Sequence, residues 1–239
     1  MRLEIEAVAS LPDVRPGDDL ALFIQQAAQI DSATVVAIAQ KVVSKAEGAI
    51  VDLRAMRPSE LARCWAKEWN KDARLIELIL TQSRRVVKMD RGVIIAETHH
   101  GFVCANAGVD QSNVEGADFA TVLPNDPDAS AHRLREKIGA GAVIITDTFG
   151  RPWREGLVDI AIGVAGLEAL DDHRGRTDRH GRQLASTIIA VADQLAAAAG
   201  LLMRKAAGTP VVLIRGFEWQ PAKGSGRDLL RKPEQDLFR

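Results

Sequence analysis

Leu3, Ile5 and Ala7 alternate with Arg2, Glu4 and Glu6, the period of two that marks a half-buried strand. Pro12, Pro16 and Gly17 then break regular structure, and Asp18 or Asp19 can cap a helix with the apolar stripe Leu20, Phe23, Ile24 and Ala27. Residues 34–39 are a short β-branched run and predict a buried strand, after which residues 41–48 lead polar side chains away from its end. Pro58 opens a helix reaching about Asn70, and residues 72–82 predict a second, with Leu75, Ile76, Ile79 and Leu80 on one face. Residues 84–97 read as a hairpin turning at Asp90-Arg91-Gly92, and 101–118 as a loop rich in Gly, Asn, Asp and Ser. A capped helix over 128–138 leads to the apolar strand 142–146, which Asp147 and Thr148 terminate. A second apolar run covers 158–164. Residues 171–182 are polar enough to predict an exposed loop, an Ala-rich helix starts at Leu184, and a strand covers 211–214.

Strands and helices mix without strict alternation, which predicts an α+β fold of mixed sheets with packed helices rather than a doubly wound sheet. We expect one catalytic domain over residues 1–222, built of two intertwined subdomains at most. The Gly/Ser/charge composition from Lys223 predicts a tail over 223–239.

The 31 Lys plus Arg balance 32 Asp plus Glu, so the chain lacks the positive field on which non-specific nucleic-acid binding relies. The two cysteines, Cys64 and Cys104, fit neither a disulfide framework nor a zinc motif, and the acidic residues interleaved at the N-terminus do not form a signal peptide. The longest apolar region, 184–202, is interrupted by Ser186, Thr187, Asp193 and Gln194 and predicts a buried helix rather than a membrane span. The expectation is a cytoplasmic protein acting on small, locally charged ligands.

Two segments concentrate chemistry. Residues 105–113 gather Asn106, Asp110, Gln111, Ser112 and Asn113 around Gly108, and Asp147-Thr148 puts a carboxylate and a hydroxyl after a buried strand. Hard oxygen ligands of this kind suit Mg2+ or Mn2+, and a cation relieves the repulsion between two carboxylates. Each alone has a plainer reading: a loop whose Asn and Asp bond their own backbone, and a turn-capping aspartate. Three further segments could serve a phosphate or nucleotide. Lys45 could act as a point charge, although a solvated lysine explains it equally. The turn Leu11, Pro12, Asp13 and Val14 could wrap a base or ribose, and Gly208, in the connection 203–210, permits close backbone approach. No P-loop or dinucleotide fingerprint occurs, the 171–181 stretch lacks the spacing of a calcium loop, and Cys104 has no local base. His99 and His100 are adjacent, so a strand would send them to opposite faces, and packing roles are expected for both.

Taken together, Leu11-Pro12, VVSKAEG from Val42, ETHHGFVCANAGVDQSN from Glu97, LPNDPDASA from Leu123, ITDTFGRPWREG from Ile145, VDIAIGVAG from Val158 and PVVLIRG from Pro210 resemble the coenzyme F420-0:L-glutamate ligase family. They recur in family order across nearly the whole chain, and the resemblance is to the stand-alone form without a fused nitroreductase-like domain. It implies the ligase fold and a GTP-dependent enzyme that adds glutamate to F420-0 and extends a γ-linked tail through an acyl phosphate. It also implies one or two divalent ions per site, Mg2+ or Mn2+, with K+ as an additional candidate, and a homodimer. By resemblance, Asp110, Asp147 and Thr148 ligate metal, and Asp110, Asp147 and Lys45 form the catalytic set. Leu11, Pro12, Asp13, Val14, Gln40, Lys45, Asn113, Met203, Lys205 and Gly208 frame GTP. Gln40 departs from a Ser of some relatives, and Lys205 from a metal-binding amide or carboxylate. The alternatives are a related GTP-dependent ligase acting on another carboxylate and a non-catalytic nucleotide- or metal-binding module.

Overall fold

A computed structural model describes residues 2–9, 11–112, 116–204 and 208–236. The strands are β1 Glu4–Ala7, β2 Thr34–Ala39, β3 Ile50–Asp52, β4 Ser83–Asp90, β5 Val93–Thr98, β6 Val103–Ala105, β7 Phe119–Thr121, β8 Ala142–Arg151, β9 Arg154–Leu167, β10 Asp171–Asp172, β11 Ile188–Ile189, β12 Val211–Arg215 and β13 Pro221–Ala222. The α-helices are α1 Leu20–Ala27, α2 Gln40–Ala46, α3 Glu60–Trp69, α4 Ala73–Thr81, α5 Pro127–Ile138 and α6 Val191–Met203. The fold is α+β, as the mixed patterning predicts.

A six-stranded sheet in the order β1-β12-β2-β8-β9-β13 forms the centre, with β2 and β8 its parallel pair. Alternation along β2 and β8 divides the apolar side chains between two layers. Val36, Ile38, Val143 and Ile145 meet α1, α2 and α5 through Ile24, Val43, Leu134 and Ile138. Val35, Ala37 and Ile144 meet α6 through Ala192, Leu195, Ala196 and Ala199. A third core holds α3 and α4 against the β4-β5-β6 sheet through Ala62, Ile76, Ile79, Ile94 and Ala96. Ile144 is wholly buried between sheet and α6, so Ile144→Ala should lower stability by about 2–5 kcal/mol with an unchanged denaturant slope, read by chemical unfolding.

Several sequence boundaries move, each for a physical reason. Asp147 and Thr148 do not end a strand: β8 runs on to Arg151 because β9 pairs with it throughout, past a register shift between Ile145 and Thr146. Residues 40–46, in the polar exit from β2, form helix α2, an element the patterning does not assign. The Ala-rich helix starts at Val191, not Leu184, since Ile188–Ile189 pair with Asp171–Asp172 and close the polar excursion expected to be a plain loop. The 101–118 loop contains β6 and a 3-10 turn, Asn106–Gly108. The described part of the expected tail docks on the body: Ser225 Oγ and the Gly226 N–H donate to Asp128, and Gly226 lies so close to the Ile162 carbonyl that a Cβ would stand 2.5 Å from it. The hairpin 84–97, the helices near 58–70 and 72–82, and the helix ending at Ile138 form as patterned.

Candidate active site

The parallel pairing of β2 with β8 sets Ala39 beside Thr146, so the start of α2 falls next to Asp147. Asp110 arrives from the smaller module built around the third core, to which its neighbour Val109 and Ala120 of β7 belong, and exchanges two backbone hydrogen bonds with Thr121, of 3.0 and 2.8 Å. Three separate segments thus converge where the central sheet meets that module.

Lys41, the second residue of α2, joins them. Its Nζ donates to Asp110 Oδ2 at 2.6 Å, to the Ser112 carbonyl at 2.9 Å and to Ser112 Oγ at 2.6 Å. Ser112 in turn donates from its N–H to Asp110 Oδ1 at 2.7 Å and from its hydroxyl to Oδ2 at 2.9 Å. Burial pushes the Asp110 carboxyl up, but the Lys41 ammonium and the Ser112 donors more than offset this, and it lies below its ordinary value.

Asp147 is in the opposite state. Although part of its side chain reaches solvent, dense surrounding protein strips its hydration and pushes its pKa up to about 7. The Thr148 N–H, donating at 2.8 Å, works against this, while the charges of Asp110 and Asp159 add to it. Two carboxylates at one site with separated proton affinities are a hallmark of functional centres. Among the described residues no three His, Cys, Asp or Glu side chains gather closely enough to enclose a metal by themselves. The donor chemistry nevertheless fits a hard divalent cation shared with ligand oxygens: the Asp110 side chain is partly exposed, the two carboxylates repel each other, and Asp110 already attracts an ammonium.

The other sequence candidates are distributed around this point. Lys45 lies one helical turn beyond Lys41, on the same face of α2. Gln40 is buried, and its Oε1 accepts the Ser44 hydroxyl at 2.8 Å. Met203, at the end of α6, receives the Thr146 hydroxyl on its sulfur at 3.6 Å. Gly208 is exposed with φ +64°, and the nearby Pro210 carbonyl accepts the Ala39 N–H at 2.8 Å, which ties this connection to the α2 start. Leu11 and Val14 pack into the first core, while Pro12 and Asp13 are exposed. Asn113 and Lys205 lie outside the described residues. His99 and His100 have packing roles: their Nε2 atoms bond backbone carbonyls of Thr81, Pro124 and Asn125.

Sequence reasoning missed Lys41 and Asp159. Lys41 precedes Lys45 by one turn, a spacing that becomes informative only once 40–46 is helical. Asp159 is a carboxylate inside an apolar run, the kind of half-buried polar residue that calls for a reason. Cys104 is buried beside this centre; loss of hydration and then the Asp147 charge push its thiol up to about 12. Thiol alkylation at neutral pH should therefore label exposed Cys64 and leave Cys104 unmodified until the protein unfolds, as peptide mass mapping would read.

The fold and site define an α+β protein with a mixed-charge acidic centre at the junction of a central sheet and a smaller module. The sequence model of the F420-0:gamma-glutamyl ligase family matches residues 9–216, and the chain belongs to that family of ligases. It is 46% identical to the coenzyme F420:L-glutamate ligase of Methanopyrus kandleri, over 99% of this chain and 98% of that protein. Identity to the enzyme of the same name from Methanothermobacter thermautotrophicus is 44% over the full length of both, and to that from Methanocaldococcus jannaschii 43% over 88% and 86%. No helix among the described residues is long and apolar enough to cross a membrane.

Proposed function

We propose that this chain is a GTP-dependent ligase that joins L-glutamate to coenzyme F420-0, extending it through γ-linked residues. The observation that carries the reading is similarity end to end: 44% identity over all of this chain and all of a coenzyme F420:L-glutamate ligase.

Amide formation from a free carboxylate is uphill in water, so the acid has to be activated. The acceptor carboxylate oxygen attacks the γ-phosphorus of GTP, and the bond to GDP breaks with its electron pair leaving on GDP. The glutamate amine nitrogen then attacks the acyl carbon, phosphate departs with the bonding pair, and the amine proton passes to solvent. Asp110 and Asp147 are the residues to hold one Mg2+ or Mn2+ and Thr148 to ligate a second, and such ions when bound would neutralise charge on the phosphate oxygens. Lys45 donates to a phosphate oxygen as a mobile point charge, and Lys41 holds Asp110 in its ionised form. Positioning of the three reactants is the main contribution of the protein.

Incubation with F420-0, GTP, L-glutamate and Mn2+, followed by mass spectrometry, tests this. The expected result is F420-0 carrying added glutamate with equal release of GDP and phosphate. Unchanged F420-0 beside glutamate consumption on a different carboxylate would reassign the acceptor, and turnover with ATP but not GTP would overturn the nucleotide.

A further inference from the structure

Strand β8 presents its site residues on two faces. Asp147 lies between Ile145 and Phe149 on the face of the first core. Thr146 and Thr148 point the other way, toward α6, where Thr146 meets Met203. Thr148 is the register partner of Asp159 on β9, and its hydroxyl donates to Asp159 Oδ1 at 2.6 Å. The second carboxylate oxygen, Oδ2, accepts no hydrogen bond among the described residues and lies against Gly200 of α6.

That glycine is the second observation. Residues 196–199 are four alanines, the strongest helix formers, and a glycine in a helix interior costs roughly 1 kcal/mol relative to alanine. A Cβ at Gly200 would stand 2.0 Å from Asp159 Oδ2 and 2.9 Å from its Cγ. The helix gives up its best residue at the one turn where the Asp159 carboxylate needs the space.

We propose that Asp159 is a positioning residue of the reaction centre, holding the Thr148 hydroxyl proton so that the Oγ1 lone pairs face a divalent cation on the α6 side of β8. This rests on the metal-dependent ligase reading above and deepens it. A threonine hydroxyl has one proton and two lone pairs, and it accepts from or ligates in a fixed direction only when the proton is engaged elsewhere. Asp159 engages it, as outer carboxylates orient the ligands of metal centres. The cation subsite so formed lies on the face of β8 opposite to Asp147.

The test compares Asp159→Ala, Asp159→Asn and Thr148→Val in the full chain, with Mn2+ as the probe. Free Mn2+ is counted by electron paramagnetic resonance in the presence of GDP, where no turnover occurs, and thermal midpoints are read alongside. Asp159→Ala should weaken one class of Mn2+ sites by about 10–100-fold. Asparagine keeps an oxygen that accepts the Thr148 hydroxyl, so Asp159→Asn should lose less than about tenfold. Thr148→Val should match Asp159→Ala, and the double variant should add little, because both remove the same ligand. Wild-type Mn2+ binding in Asp159→Ala or in Thr148→Val overturns the proposal, as does an Asn variant as weak as Ala. If the wild type ligates no glutamate to F420-0 while the Mn2+ order holds, the substrate assignment falls and the role of Asp159 stands.

Discussion

Asp147→Asn should fold, and lose ligation by about a thousandfold or more, since it removes a carboxylate from the charge-stabilising centre while keeping its shape. The same substitution has a stability signature of opposite sign. In the metal-free chain the Asp147 carboxyl binds its proton up to a pH of about 7, against an ordinary value of 3.8. Between those two values the folded chain holds a proton that the unfolded chain has released. Stability therefore falls as pH rises from about 4 to about 7 and is level above that, by an amount on the order of a few kcal/mol. Asp147→Asn removes this contribution to the slope, so the variant should be more stable than the wild type at pH 8 and closest to it near pH 4. Urea titrations across that range without divalent metal would measure it. A wild-type slope in the variant, or retained ligation, would contradict the assignment.

Lys41→Met should cost activity about tenfold to a hundredfold, because Asp110 loses the ammonium 2.6 Å from its Oδ2 and keeps only the neutral Ser112 donors against the Asp147 charge. The stability cost is small, about 1 kcal/mol or less, since the Asp110 side chain is 42% exposed and solvent screens the pair. Its sign in pH is the reverse of that for Asp147. A carboxyl held below its ordinary value contributes stability above the unfolded pKa and loses it as pH falls through the folded one. The difference between Lys41→Met and wild type should accordingly be present at pH 7 and vanish in strong acid. Steady-state kinetics would separate the activity effect: a fall in turnover at unchanged F420-0 KM is expected, and a change in F420-0 KM alone would contradict it.

The parts of the fold visible in the sequence are those governed by local rules. The hairpin 84–97 turns at Arg91-Gly92, where both residues take positive φ, and α3 and α4 start at Ser59 and Asp72 caps with clear apolar faces. Local rules failed where a distant partner decides. Asp147 and Thr148 look like the end of a strand until β9 is known to run beside them, and Ile188–Ile189 look helical until paired with Asp171–Asp172. The docked segment after Lys223 depends on Asp128, nearly a hundred positions away in sequence, a contact with no local sign. The same division holds for the candidate site. Asp110 and Asp147 were legible as chemistry because polar oxygens stood out in their segments. Lys41 and Asp159 were not, because each acquires its meaning from one contact, with Asp110 and with Thr148 respectively.

Whether Asp110 and Asp147 share a divalent ion serving a guanine nucleotide is decided by crystals grown with GDP and Mn2+ and measured for anomalous scattering. The expected result is a Mn2+ peak at about 2.1 Å from a carboxylate oxygen of both residues, with a phosphate oxygen of GDP among its ligands. GDP bound with no Mn2+ at that pair, or Mn2+ held only elsewhere, would contradict it.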